Sequence, residues 1–180
     1  MTSEQPLMHP LTSAVLELEA HVNEDGWDQP TRLFAMARLG DLLRREPALA
    51  EAMGLVDAGD NADELIPVEQ EWSPGDAKLD DALGLISWPE QVLGVAIAME
   101  RILLPPSAEA DLSEDAEMSE LIEQAMGHPA RREVRLAVAV MRDGRNMCAI
   151  RLRDNDADDD VLTGQDLVPG LTEALATTLR

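Results

Sequence analysis

Two runs of alternating apolar residues constrain this chain more than any other feature. Val134, Leu136, Val138 and Val140 occupy every second position, Arg142, Asp143 and Gly144 supply turn residues, and Cys148, Ile150 and Leu152 alternate back. Period-two alternation around a glycine-containing turn predicts a β-hairpin over residues 134–152. The register follows from the two faces. A two-residue loop at Asp143-Gly144 would set Leu136 opposite Arg151 and mix apolar with charged side chains. A three-residue loop ending with Gly144 as a left-handed bulge sets Val138 opposite Cys148 and Leu136 opposite Ile150, which keeps one face wholly apolar, so this register is expected.

The same register puts Arg135 opposite Arg151 and Glu133 opposite Arg153 on the second face, beside Ala137, Ala139, Met141, Met147 and Ala149. Like charges directly across a strand pair repel. Between positions 131 and 153 seven arginines stand against Glu133 and Asp143, a cationic segment within a chain of net charge −22. Two arrangements resolve this. In the commoner one, an acidic helix of the same chain covers and neutralises the arginine pair. In the other, Arg135, Arg151 and Arg153 face outward and bind an acidic or C-terminal segment of a partner, or a small anion.

The remaining composition narrows the function classes. With 180 residues, 45% of them hydrophobic, the chain has apolar material enough for a single α+β domain over residues 1–180 that needs neither metal nor disulfide to fold. Thirty-six acidic residues against fourteen basic ones, with Trp27, Phe34, Trp72 and Trp88 the only aromatics, disfavour nucleic acid and anionic membranes. The lone Cys148 excludes an intrachain disulfide and a cysteine-rich zinc site. Residues 1–10 lack the basic and apolar regions of a signal peptide, and no uncharged apolar run reaches membrane-spanning length, so a cytoplasmic location is expected.

Along the chain, Leu11, Val15, Leu18 and Val22 recur at helical spacing before a stop at Gly26. A second helix is expected after Asp28, running to about Arg45, and a short third one from Pro47 to Gly54, giving a helical N-terminal part over residues 11–54. The acidic residues 57–64 read as a loop. Residues 65–180 are expected to form an antiparallel sheet of about four to five strands packed with helices. Its members are a strand at 65–72 that Pro67 makes either an edge or a strand with an early irregularity, a central strand within 92–103, for which helix is the alternative, and the hairpin. Ser73-Pro74-Gly75 is a turn. Helices are expected at 79–86, behind Ser113 with Met118, Leu121, Ile122 and Ala125 on one face, and at the C-terminus through Leu167, Leu171, Leu175 and Leu179.

No catalytic constellation emerges. His9, His21 and His128 are far apart, Lys78 follows no glycine-rich turn, and Cys148 should face inward as a small core residue. Asp154, Asp156, Asp158 and Asp160 have the first spacings of a calcium loop, but Asp159 stands where the turn needs Gly and Gln165 where it needs a bidentate carboxylate, so the run reads as a solvated loop. No cofactor is called for. The segment Gly26-Trp27-Asp28-Gln29-Pro30 reads as a helix junction in which Asp28 caps the next helix and Arg32 stacks on Trp27. Trp27, Asp28 and Arg32 are alternatively a recognition patch, since Trp and Arg are enriched at binding hot spots. Trp88-Pro89 has the same two readings.

Gly26-Trp27-Asp28-Gln29-Pro30 with Arg32-Leu33-Phe34, then Trp88-Pro89, Glu100-Arg101, Leu104-Pro105-Pro106, His128-Pro129, Glu133-Val134-Arg135 and residues 162–171 resemble a family of small acidic actinobacterial proteins. That family carries no established activity, cofactor or catalytic residue. The resemblance implies a cytoplasmic protein from a high-GC bacterium, which suits thirteen Arg beside one Lys. The element order is also similar to that of bacterial secretion chaperones, which implies binding of a partner segment along a sheet or helix face, commonly as a homodimer. The expected function is therefore a non-catalytic protein-binding module, chaperone-like or adaptor, using Arg135, Arg151 and Arg153 or Trp27 and Arg32. The rival is a small-ligand protein or enzyme with a site built from dispersed residues such as Glu100, Arg101 and Arg135.

Overall fold

The computed structural model describes residues 10–55, 62–103, 120, 124, 129–154 and 156–180. Helix α1 (Pro10–Asn23) is followed by strand β1 (Arg32–Arg38), short helices α2 (Leu39–Arg45) and α3 (Pro47–Ala52), strand β2 (Leu65–Gln70) and helix α4 (Leu79–Gly84). Strands β3 (Gly94–Leu103), β4 (Arg132–Met141), β5 (Asn146–Leu152) and β6 (Leu162–Gly164) precede the C-terminal helix α5 (Pro169–Thr178). The six strands form one sheet in the order β2-β1-β3-β4-β5-β6, with every neighbouring pair antiparallel. The fold is α+β.

The hairpin has the bulged register, with Val138 opposite Cys148, Leu136 opposite Ile150 and Arg135 opposite Arg151. Gly144 sits at φ +91°, the left-handed conformation a bulge of this kind requires. Pro67 lies on the edge strand β2, where its missing N–H leaves no central ladder bond unmade. The apolar run at 94–103 is a strand flanked on both sides, by β1 and β4.

One expected element is overturned. The second N-terminal helix, expected after Asp28, begins only at Leu39: Arg32–Arg38 is strand β1 and only the remainder is helical, as α2, so the N-terminal part holds one long helix rather than a helical pair, and the sheet has six strands rather than four or five. The segment Arg-Leu-Phe-Ala-Met-Ala-Arg lies between β2 and β3 and is covered on both faces, so its apolar residues are consecutive and carry no alternation. Ala, Leu and Met are also good helix formers, and the cross-strand packing overrides that preference. Three-residue β6 is too short to leave a pattern. Of the helix expected behind Ser113 only Glu120 and Gln124 are described, both helical, and His9, His128 and most of the acidic 57–64 loop lie outside the described residues.

Two cores flank the sheet. On one side Leu33, Val95, Ile97, Val134, Leu136, Val138, Val140 and Cys148 meet Leu83 of α4 and Leu171, Leu175 and Leu179 at the C-terminus. Trp88 packs there too, its indole N–H donating to Thr178 Oγ1 at 3.1 Å, so Trp88 is architectural. On the other side α1 buries Leu11, Ala14, Val15, Leu18 and Val22 against Phe34, Met36, Ala96, Ala98, Ala137, Ala139 and Ala149. The alanines come from three adjacent strands and form a shallow trough in which a helix can lie close to the sheet.

Gly94 opens β3 under tight packing. A Cβ there would stand 2.5 Å from Met141 Sδ and 2.6 Å from the Val140 carbonyl oxygen. Gly94→Ala should therefore cost roughly 1–3 kcal/mol through overpacking and lower the melting temperature by about 2–12 °C, readable by circular dichroism or calorimetry.

Candidate functional site

The helical stripe of α1 runs Leu11, Ala14, Val15, Leu18, Glu19 and Val22, and all six are buried. A carboxylate on an apolar stripe must be neutralised or hydrogen-bonded. Glu19, 1% exposed, lands between Arg135 and Arg151, each likewise 1% exposed. Its Oε1 accepts from Arg151 Nη2 at 2.6 Å and Nε at 2.9 Å, and its Oε2 lies 3.3 Å from Arg135 Nη1. The cross-strand repulsion built into the hairpin register is thus bridged by one anion from α1. Of the two arrangements open from the sequence, the covered one is realised.

Each guanidinium has further partners. Arg135 donates to Asn23 Oδ1 at 2.9 Å and to the Gly26 carbonyl at 2.5 Å, which sets a cation beside the carboxyl end of α1, where the helix dipole favours one. Arg151 donates to the Asp156 carbonyl at 3.0 Å and to Asp156 Oδ1 at 3.1 Å. Among the described residues Arg135 Nε is the single buried side-chain nitrogen or oxygen with no hydrogen-bond partner.

Above this cluster the loop between α1 and β1 is clamped from several sides. The Trp27 ring lies over the Arg135 guanidinium, 4.4 Å from its carbon to the ring centre, with Arg153 at 5.5 Å, and its indole N–H donates to Asp156 Oδ2 at 3.1 Å. Asp28 adopts φ +66°, a left-handed conformation that Asp tolerates better than most residues. That turn points the backbone N–H groups of Asp28 and Gln29 at the two carboxylate oxygens of Glu100, at 2.8 and 2.7 Å. The Asp28 carboxylate pairs bidentately with Arg153 at 2.8 and 2.9 Å, and these hydrogen bonds hold its carboxyl below the ordinary aspartate range. Asp28 is therefore the pivot of a tight turn, not the cap of a helix.

Arg32 forms the next layer. It pairs bidentately with Glu69 of β2 at 2.7 and 2.8 Å and also reaches Asp25 at 2.9 Å and Gln29 Oε1 at 3.1 Å. Its ring contact is with Phe34, 5.8 Å to the centre, and not with Trp27. Beside it opens a cleft of about 560 Å³ lined by Pro30, Thr31, Arg32, Glu69 and Trp72.

Trp27, Arg135, Arg151 and Arg153 are thus brought into one cluster, with Arg32 adjoining through the same loop. Arg135 and Arg151 are interior groups that no partner touches while α1 stays docked. Arg153 keeps 34% of its side chain exposed. Sequence reasoning missed Glu19 and Asn23, read Asp156 only as part of a solvated loop, and used Glu100 only in the family resemblance and the rival site. Glu19 had a signal, because it shares the helical face of Val15, Leu18 and Val22.

The rival constellation does not assemble. Glu100 and Arg135 are cross-strand neighbours, but Arg101 points to the opposite side of the strand and the Glu100 carboxylate is engaged by the loop backbone. In the aspartate loop, Asp154 pairs with Arg132 and Asp156 serves Trp27 and Arg151. Among the described residues no group of three or more His, Cys, Asp or Glu side chains could hold a metal ion, and no helix is long and apolar enough to cross a membrane. Cys148 is buried, and burial pushes its thiol up to about 11, away from thiolate chemistry at neutral pH.

A profile of PPA1309-like proteins matches residues 11–180. The chain belongs to that family. The match takes in α1, the Trp27 loop and every strand that builds the cluster. Comparison with curated proteins and comparison with solved structures found no match.

Glu19→Gln keeps the shape of the side chain and removes its charge, leaving two buried guanidinium groups on one face with no formal anion between them. The expected loss is about 3–5 kcal/mol of unfolding free energy, measured by urea denaturation with the denaturant slope unchanged.

Proposed function

We propose that this protein is a non-catalytic binding module of the actinobacterial cytoplasm, holding a segment of a protein partner on the surface built by the Trp27 loop, Arg153 and the Arg32–Trp72 cleft. The observation that carries this reading is the fixing of Trp27. A tryptophan near the surface is held by one buried and one half-exposed guanidinium, by Asp156 and by a loop whose backbone is clamped on Glu100. Rigid aromatic and arginine side chains bind with little ordering cost, which is the property shared by interface hot spots.

Electrostatics favours a particular kind of partner segment. Arg32 and Arg153 are already matched by Asp25, Glu69 and Asp28, so an extended acidic segment would have to displace those carboxylates from a molecule that is itself strongly anionic. A polar, nearly neutral segment that sets an apolar side chain against Trp72 and Pro30 fits the cleft better. The buried network supports positioning rather than turnover, because its carboxylates and guanidinium groups are spent on one another and on loop backbone. The resemblance to secretion chaperones in element order points the same way, toward capture of a segment.

The test is site-specific photocrosslinking in extract of the native cytoplasm. A photoreactive residue at Thr31, in the cleft, should give a discrete adduct that Arg153→Ala weakens, whereas one at Ala77 should not. Identical adduct patterns from both positions would refute the reading.

A further inference from the structure

The ion cluster occupies one end of α1. At the other end the sheet opens into a second cleft, about 410 Å³, where β1 ends at Arg38, β2 begins at Leu65 and the β4–β5 turn begins. Its floor is apolar, made by Leu65, Leu93 and Met141. Three arginines line it, Arg38, Arg142 and Arg145. Arg142 donates to four backbone carbonyls, those of Val92, Leu179, Trp88 and Pro89, and to no carboxylate among the described residues. Its position is fixed, and its charge is not cancelled. Arg38 is exposed, and its side chain has no hydrogen bond or ion pair among the described residues. The third, Arg145, is bound to Asp143, and Asp63 also lies on the rim.

Among the described residues that line it, three cations against two carboxylates leave this cleft with a surplus of one positive charge, in a chain of net charge −22. A polar head position backed by an apolar floor, at a volume typical of small-molecule sites, describes an amphiphilic ligand. We infer that the cleft binds a small aliphatic carboxylate. The carboxylate meets the guanidinium of Arg38 in the fork geometry the two groups share, within the field of Arg142, and the short hydrocarbon body lies on Leu65, Leu93 and Met141. A single surplus charge matches a monoanion. The apolar floor distinguishes this ligand from an inorganic ion. This site is separate from the Trp27 surface, so its fate and that of the partner-binding reading are independent.

The experiment uses the full chain at low ionic strength and follows the arginine Nε–Hε resonances while acetate, butanoate, hexanoate and hexanol are added in turn. Hexanoate should shift the Arg38 and Arg142 resonances saturably, with half-saturation on the order of 0.1–1 mM. Affinity should rise about three- to fourfold for each methylene that reaches the floor. Hexanol should bind at least about tenfold more weakly, and Arg38→Gln should weaken hexanoate by about tenfold while leaving the melting temperature unchanged, since Arg38 holds no other group. The inference is overturned if hexanoate binds no better than acetate, if hexanol matches it, if Arg38→Gln binds hexanoate as the wild type does, or if no saturable shift appears by about 10 mM.

Discussion

A carboxylate on the buried stripe of α1, set between two arginines that face each other across β4 and β5, is the interaction on which the rest of this structure depends. Without Glu19 the hairpin register that segregates the apolar residues would also bring together two like charges with nothing to separate them. With it, the register and the helix specify each other. A buried ion cluster of this type contributes little net stability relative to a well-packed apolar replacement. Its effect lies in which arrangement it permits.

The alanine trough beneath α1 shows why that matters. Ala96, Ala98, Ala137, Ala139 and Ala149 present a nearly smooth surface, over which the Leu and Val side chains of α1 could pack in more than one position along the strands. Sliding the helix by one turn, about 5.4 Å, would carry Glu19 out of reach of Arg151 and drive an apolar side chain against the guanidinium groups. The charged end of the trough therefore sets the position of the helix, and the carboxyl end of α1 delivers Asn23, Gly26 and Trp27 to Arg135. The Trp27 loop inherits its rigidity from that placement. At the far end, the same strands stop at Arg38, Leu65 and Met141, and a cleft remains there beside Pro10 at the start of α1.

Much of the sheet was legible in the sequence wherever a strand's two faces differ in chemistry or a turn residue marks its end. The hairpin register followed from keeping Leu136, Val138, Cys148 and Ile150 on one side and from Gly144 at the turn. Pro67 pointed to an edge or an irregular strand because it cannot donate to a ladder, and the edge is what the sheet order has. Strand β1 was not legible, since both of its faces are covered and its Leu, Ala and Met residues favour helix in isolation. The coverage of the arginine pair was foreseeable as a class, yet Glu19 was one of thirty-six acidic residues. Only its place on the α1 stripe set it apart. Glu100 and Asp156 left no local signal, because their partners are the backbone and indole of a loop distant in sequence.

Native-state hydrogen exchange on the unmodified protein tests the central claim most directly. If Glu19 binds α1 to the sheet as one unit, the amides of residues 15–22 exchange with the same free energy and denaturant dependence as those of β3 and β4, through global unfolding alone. Exchange of those α1 amides through a local opening, while β3 and β4 stay protected, would contradict it.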